Sequence, residues 1–278
     1  MRLRVAYSTT YRYEPPASGL IQIIRMTPRS YDGQYVAEWQ IFVSTDSRMQ
    51  MHQDAFGNIT HVLTHGPIAD LTVSVQGLVE THDTNGVLKG TDERFPPGFF
   101  LRDTPLTEVS AEMRAFARDM RAEAGDDVLG FLHTLMAQVA EHMTFDTEST
   151  GSGTTATEAF AQGRGVCQDY AQVFIAGARS AGVPARYVSG HFLRSDGAST
   201  QGAAHAWAEA FVPKLGWIGF DPTNCISTTD AHIRVAIGLD YLGAAPVRGT
   251  HYGGSAETLS VAVKVDHAGR QSQSQSQS

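Results

Sequence analysis

The sequence predicts an α+β protein: a β-rich, sandwich-like N-terminal domain followed by a mixed α+β core. Three observations predict it. Short runs rich in β-branched and aromatic residues recur over residues 1–85. The period then changes, because Val109, Met113, Phe116 and Met120 fall 4, 3 and 4 residues apart, which is one helical face. Strand-like runs return at 186–192, 205–212 and 217–221.

In the first region Leu3, Val5 and Tyr7 alternate with Arg2, Arg4 and Ala6, and the runs 36–43, 59–63 and 71–79 are of similar character. Pro15-Pro16, Asp32-Gly33, Gly57-Asn58 and Gly66-Pro67 separate them as turn signals. Such spacing fits an antiparallel sandwich or barrel. Residues 86–104 read as a linker in which Pro96-Pro97-Gly98 breaks any regular element. The core is expected over 105–267, with the C-terminal strands included. Its second helix is marked by Val128, Leu132, Leu135, Met136, Val139 and Met143, after Gly125-Asp126-Asp127 supplies a stop and an N-cap. Thr155 and Glu158 fit a capping box for a short third helix. A fourth is expected over 166–181, closed by Gly182 and Pro184. Final strands are expected at 235–241 and 259–265. Residues 268–278 end in a Gln-Ser repeat and are expected to be a disordered tail.

Composition excludes several classes. With 42% apolar and 18% charged residues the chain can bury a core, so wholesale disorder is ruled out. A net charge of -8 leaves no chain-wide basic footprint, so nucleic acid is not an expected partner. No apolar run approaches the ~18 residues of a membrane span, and the alternating N-terminus lacks the apolar stretch of a signal peptide. Only two cysteines are present, Cys167 and Cys225, which excludes a disulfide scaffold and favours a cytoplasmic setting.

Cys167 carries the chemical signal. It falls in the first turn of the expected fourth helix, where unpaired backbone N–H groups and the positive end of the macrodipole favour a thiolate. Gly163 and Gly165 before it permit a tight turn. A thiolate nucleophile needs a base, and the base needs an orienter. His205 opens one expected strand and Asp221 ends the next. Adjacent antiparallel strands would place both at one sheet edge, facing the start of the Cys167 helix. Gln168 is a candidate oxyanion donor, and Trp207, on the His205 face of its strand, a candidate wall for the substrate cleft. His61 and His65 have i, i+4 spacing but lie in a strand-like run, where that spacing separates them by ~13 Å, so no metal site is expected. No Gly-x-Ser-x-Gly elbow is present, which disfavours a serine hydrolase.

Taken together, Gly165-Val166-Cys167-Gln168-Asp169-Tyr170-Ala171, Gly182-Val183-Pro184-Ala185-Arg186-Tyr187-Val188-Ser189-Gly190, His205-Ala206-Trp207-Ala208-Glu209 and Gly216-Trp217-Ile218-Gly219-Phe220-Asp221-Pro222-Thr223-Asn224 resemble the core of the transglutaminase-like superfamily. The first 80 or so residues, including Asp54-Ala55-Phe56-Gly57-Asn58, and the stretch from His232 to Val247 resemble other parts of the bacterial members. The resemblance spans nearly the whole chain except the tail. It implies a papain-like core with Cys167 as nucleophile, His205 as base and Asp221 as its orienter. One feature of better-known members does not carry over: the only tryptophan upstream of Cys167 is Trp39, in the β-rich region, and Phe145 lies where an aromatic donor is expected.

These readings converge on a cofactor-free cysteine enzyme that cleaves an amide or peptide bond through a thioester, acting on a peptide or protein away from membranes. The alternatives are a protein-glutamine transglutaminase with an amine acceptor and an inactive peptide-binding module. Cys225 is expected to be a free, partly buried thiol.

Overall fold

The computed structural model describes residues 1–196, 200–254 and 256–269. The expected tail from Arg270 to Ser278 lies outside them, as does part of the 195–204 loop.

The β-rich half begins with β1 (Arg2–Ala17), β2 (Gly19–Thr27), β3 (Gln34–Val43), β4 (Arg48–Gln53), β5 (Ile59–His65) and β6 (Ile68–Thr81). β1 alternates buried with exposed residues along most of its length, the mark of a strand with one face in a core. β4 buries none of its residues, so it carries no such alternation.

The helical part contains α1 (Ala111–Ala124), α2 (Val128–His142), β7 (Thr144–Phe145), α3 (Ala156–Gln162), β8 (Arg164–Gly165) and α4 (Cys167–Ser180). Each of the first three helices starts at a capping side chain: Ser110 accepts from the Met113 N–H, Asp127 from that of Gly130, and Thr155 and Glu158 form the capping box. The chain continues through β9 (Ala185–Phe192), β10 (Thr200–Gln201), β11 (His205–Val212), β12 (Gly216–Asp221), β13 (Ile226–Ser227), β14 (His232–Gly238), α5 (Tyr241–Ala244), β15 (Val247–Tyr252) and β16 (Ala256–His267).

One sheet of the β-rich half has the order β10-β16-β1-β6-β3 and the other β15-β2-β5-β4. Tyr11, Leu20, Ile24, Leu63, Leu71 and Val73 pack between them, which makes a sandwich. The core sheet has the order β13-β12-β11-β9-β14. Helix α4 lies across it with α2 behind. Ala206, Ala208 and Ala210 of β11 share its buried cluster with Ala171, Phe174 and Ile175, and these small residues let helix and sheet approach closely.

Three expectations change. The C-terminal strands were expected in the core, but β16 lies antiparallel to β1, with Tyr11 opposite Leu259, and β15 pairs with β2. Their partners are the first strands of the chain. The expected strand 235–241 is displaced to His232–Gly238, because Asp240 accepts the Gly243 N–H and starts α5. The linker is not structureless. A 3-10 helix spans Pro97–Leu101, begun by a proline whose fixed φ suits a first helical position, and it buries Phe100. Glu93 is held to the core by Arg186, which is wholly buried and also meets Glu209 at 2.6 Å. The Arg186 guanidinium lies 3.9 Å from the Trp217 ring centroid, and Arg234 meets the other Glu209 oxygen at 2.6 Å. No helix among the described residues is long and apolar enough to cross a membrane.

Candidate active site

Cys167 is the first residue of α4, as the sequence predicts. At that position the backbone N–H has no acceptor within the helix. The start is fixed by Asp169, whose Oδ2 accepts the Val166 N–H at 2.8 Å and the Thr150 hydroxyl at 2.6 Å. Residue 165 must be glycine for this: a Cβ there would lie 2.5 Å from Asp169 Oδ2. Burial pushes the Asp169 carboxyl up, and these hydrogen bonds act against the shift. Parallel pairing of β7 with β8 sets Phe145 opposite Gly165, beside the nucleophile's turn.

His205 begins β11 and Asp221 ends the neighbouring β12, so the two meet at one sheet edge. His205 Nε2 lies 2.7 Å from Asp221 Oδ2. The Cys167 sulfur acts on the same imidazole and helps to raise it. With Nε2 engaged by Asp221, the remaining nitrogen for the sulfur is Nδ1. Cys167 Sγ also lies 3.9 Å from the Ala204 carbonyl oxygen. Burial alone would depress the His205 imidazole, but the carboxylate of Asp221 and the Cys167 sulfur outweigh it and raise the ring to about 10. Burial likewise opposes ionisation of Asp221, yet His205 and the donors around it hold that carboxyl well below the usual range.

Three further residues complete the carboxylate's surroundings. Asn224 Nδ2 donates to Asp221 Oδ2 at 2.7 Å, and the Thr223 and Asn224 N–H groups donate to Oδ1 at 3.1 and 3.2 Å. His232 Nε2 stands 3.1 Å from Oδ2. Asn224 closes a sequence motif already noticed, but its role shows only when the turn folds back on Asp221. His232 was visible only as part of a C-terminal stretch, and no local pattern brings it to Asp221. The pairing of β14 with β9 does.

A cleft of about 910 Å³ opens over Cys167 and His205. Gln168, Phe145, Tyr187 and Tyr241 line it from the core. Tyr7, Tyr11, Leu259 and Val261 line it from the sandwich, so the N-terminal half forms one wall of the same cleft. Gln168 is half-buried, with its amide 3.4 Å from the Gly151 carbonyl. Trp207 is not in the wall, contrary to expectation. It is 2% exposed and packs with Val188 and Ile237 beneath the site, edge-on to His232. Its place in mid-strand, inward of His205, puts it in the core. Both cysteines are free, and Cys225 is exposed rather than partly buried.

Nitrogen and oxygen atoms of His205, Asp221 and His232 lie within 4.8 Å of one another, the grouping among the described residues that could hold a cation. Hydrogen bonding accounts for the trio as it stands, since each imidazole presents Nε2 to the carboxylate. His61 and His65 are on β5 with separate partners, His61 with the Thr27 hydroxyl and His65 with the Gly66 carbonyl.

Residues 114–222 match the transglutaminase-like superfamily, and residues 3–80 match the bacterial transglutaminase-like N-terminal region. An uncharacterised protein of Mycobacterium leprae is 29% identical over 279 residues, with 95% of this chain and 98% of that protein covered. One from Mycobacterium tuberculosis is 26% identical over 292 residues, with 95% and 92% covered. Among solved structures, a candidate cysteine protease from Cytophaga hutchinsonii superposes with a TM-score of 0.77 at 19% identity, covering 97% of this chain and 91% of that one. At that identity the likeness is one of fold.

Proposed function

Because this chain belongs to the transglutaminase-like superfamily, we propose that it is a cysteine-nucleophile acyl-transfer enzyme that hydrolyses an amide or peptide bond. The carrying observation is that Cys167, at the start of α4, and the hydrogen-bonded pair of His205 and Asp221 meet at one large cleft.

In this reading the Cys167 sulfur, as thiolate, attacks the carbonyl carbon. The oxyanion that forms is met by the Cys167 backbone N–H, free at the helix start. As the C–N bond breaks, His205 gives its Nδ1 proton to the departing amine, and a thioester remains on Cys167. Water then attacks the thioester while neutral His205 takes a proton from it at Nδ1. The C–S bond breaks and the free acid leaves. Asp221 keeps Nε2 protonated, so Nδ1 is always the nitrogen that exchanges the proton.

Water is favoured over an amine as acceptor because Trp207 and Trp217 are both buried away from the cleft and offer no aromatic tunnel there. A separate peptide-binding role for the N-terminal half fits less well, since its strands β1 and β16 wall the same cleft as the nucleophile. The substrate is a peptide or protein, and two free thiols favour a cytoplasmic setting.

Iodoacetamide at mildly acidic pH, followed by peptide mapping, tests the reading. Cys225 is the more exposed thiol, so accessibility alone would label it first. Faster labelling of Cys167 supports an activated nucleophile, and preferential labelling of Cys225 counts against the assignment.

A further inference from the structure

Asp221 serves two histidines, and the second has no part in the proton transfers above. His232 is 5% exposed at the start of β14. Its Nδ1 lies 3.1 Å from the Thr229 backbone nitrogen, a group that can only donate. A ring nitrogen that accepts a hydrogen bond carries no proton, so the ring's proton is on Nε2. That nitrogen faces Asp221 Oδ2 at 3.1 Å. The backbone of Thr229 therefore fixes His232 as a neutral donor to the carboxylate. We propose that His232 is a positioning residue, which locks the Asp221 carboxylate in place and limits its basicity so that the proton stays on His205.

The hydrogen-bond inventory supports the proposal. A carboxylate offers about four acceptor sites. Asp221 receives His205, His232 and Asn224 at Oδ2, and the two backbone N–H groups of Thr223 and Asn224 at Oδ1. Such a saturated oxygen has little affinity for a further proton, and donors from three directions fix its plane. Burial also favours the neutral His232 ring, and the nearby His205 opposes a second positive charge. The His205 and His232 ring centroids are 6.1 Å apart. Phe192 and Trp207 cover His232, at 4.6 and 5.2 Å between centroids. Beyond it a cavity of about 20 Å³ is lined by Tyr31, His82, Glu209 and Arg234. Glu209 and Arg234 are paired with each other at 2.6 Å, so the charged groups facing His232 from outside the triad largely cancel.

The proposal rests on the reading of Asp221 as orienter, so its test must not need turnover. Long-range ¹H–¹⁵N spectra of the full chain labelled with ¹⁵N-histidine report the tautomer and titration of each ring. His232 is expected to be the neutral Nε2–H tautomer from about pH 6 to 9, within the range where an imidazole ordinarily titrates. In His232→Leu the carboxylate loses a donor, and the His205 titration should move up by roughly half to one pH unit. His232→Gln can offer an amide N–H in place of Nε2–H and should bring it back. A protonated His232 at neutral pH, an Nδ1–H tautomer, or a His205 titration unmoved in the leucine variant would overturn the proposal. Should the leucine variant not fold, the wild-type tautomer and the glutamine variant still decide it. Iodoacetamide labelling of the same samples reads the nucleophile separately, so failure of Cys167 to react first would sink the proposed activity and leave the His232 result standing.

Discussion

His205 Nε2 and Asp221 Oδ2 are 2.7 Å apart although sixteen residues separate them in sequence. The hairpin of β11 and β12 makes that contact, with Ala208 opposite Phe220 and Phe211 opposite Trp217 in register. A one-residue slip would turn one of the two side chains to the other face. The packing of Ala208 and Phe220 into the core beneath α4 therefore also sets the geometry of the site.

Cys167→Ala should abolish turnover and leave the fold nearly intact. The sulfur is only partly buried, and its contact with the Ala204 carbonyl is a long one, at 3.9 Å. Its loss should cost no more than about 1 kcal/mol. Thermal melting checks this, and collapse of the fold would mark a structural cysteine.

Asp221→Asn removes the charge that raises His205 and can turn an amide donor toward its Nε2. In a serine triad the same change costs ~10⁴ in rate. A thiolate depends less on its base once formed, so the expected loss here is on the order of 10- to 1000-fold. The His205 titration should fall from about 10 toward the ordinary ~6.5, since the Cys167 sulfur alone then opposes burial. Rates across pH 5 to 10 decide it, and an unchanged profile would leave Asp221 as a turn residue.

The same pair predicts a pH dependence of stability. His205 is raised in the folded protein, so its contribution is full below the unfolded value of ~6.5 and drains away as pH climbs toward about 10. Asp221 is depressed, so its contribution is full above ~3.9 and is lost as pH falls through its folded value. The two overlap most between ~4 and ~6.5. The melting temperature should therefore drop from pH 7 to 10, and more steeply in wild type than in His205→Gln. Equal slopes would assign the loss to other groups.

Glu209 offers a test of packing. It is fully buried between Arg186 and Arg234, each at 2.6 Å, and both guanidiniums hold its carboxyl below the ordinary range against the effect of burial. Glu209→Gln keeps the shape and removes the charge that Arg186 and Arg234 share. Breaking a buried pair costs ~3–5 kcal/mol, and Glu93 on Arg186 should hold the loss toward the lower end. Chemical denaturation measures it. A loss under about 1 kcal/mol would show the network to be incidental.

Much of this was legible in the sequence, and the reasons divide cleanly. Capped helices and alternating strands are local, so α1 to α4 and the hairpin of β11 and β12 are readable from spacing. Cys167, His205 and Asp221 follow because each sits at an element end that local pattern identifies. What is not readable depends on long-range pairing or on burial without pattern. β4 buries nothing. β2 hides Gln22 inside at 2% exposure and leaves Ile21 outside at 50%, which blurs its alternation. The match of β16 to β1 spans most of the chain, and no sequence period encodes it. His232 reaches Asp221 only through the β14–β9 pairing, and Trp207 leaves the cleft because its strand runs inward from the edge.

The thioester on Cys167 can be resolved in two ways. Water and amines compete for it, and a site that positions an amine can give that amine an effective molarity of ~10⁵ M or more. Such a site needs a dry channel of defined shape. The cleft is broad, about 910 Å³, and Tyr7, Tyr11, Tyr187 and Tyr241 are spread around its wall from both halves of the chain. Neither Trp207 nor Trp217 reaches it. The chain's charge of -8 would draw amines toward the protein without directing them to Cys167. With a glutamine-containing or peptide acyl donor and millimolar primary amine, the main product should therefore be the free acid. Mass spectrometry of the products decides between the two. A dominant amine adduct would make the protein a transglutaminase, and the cleft would then have to hold the amine against water by closing on it. The Phe145 side, held by the β7–β8 pair beside the nucleophile's turn, is where that closure should first be sought.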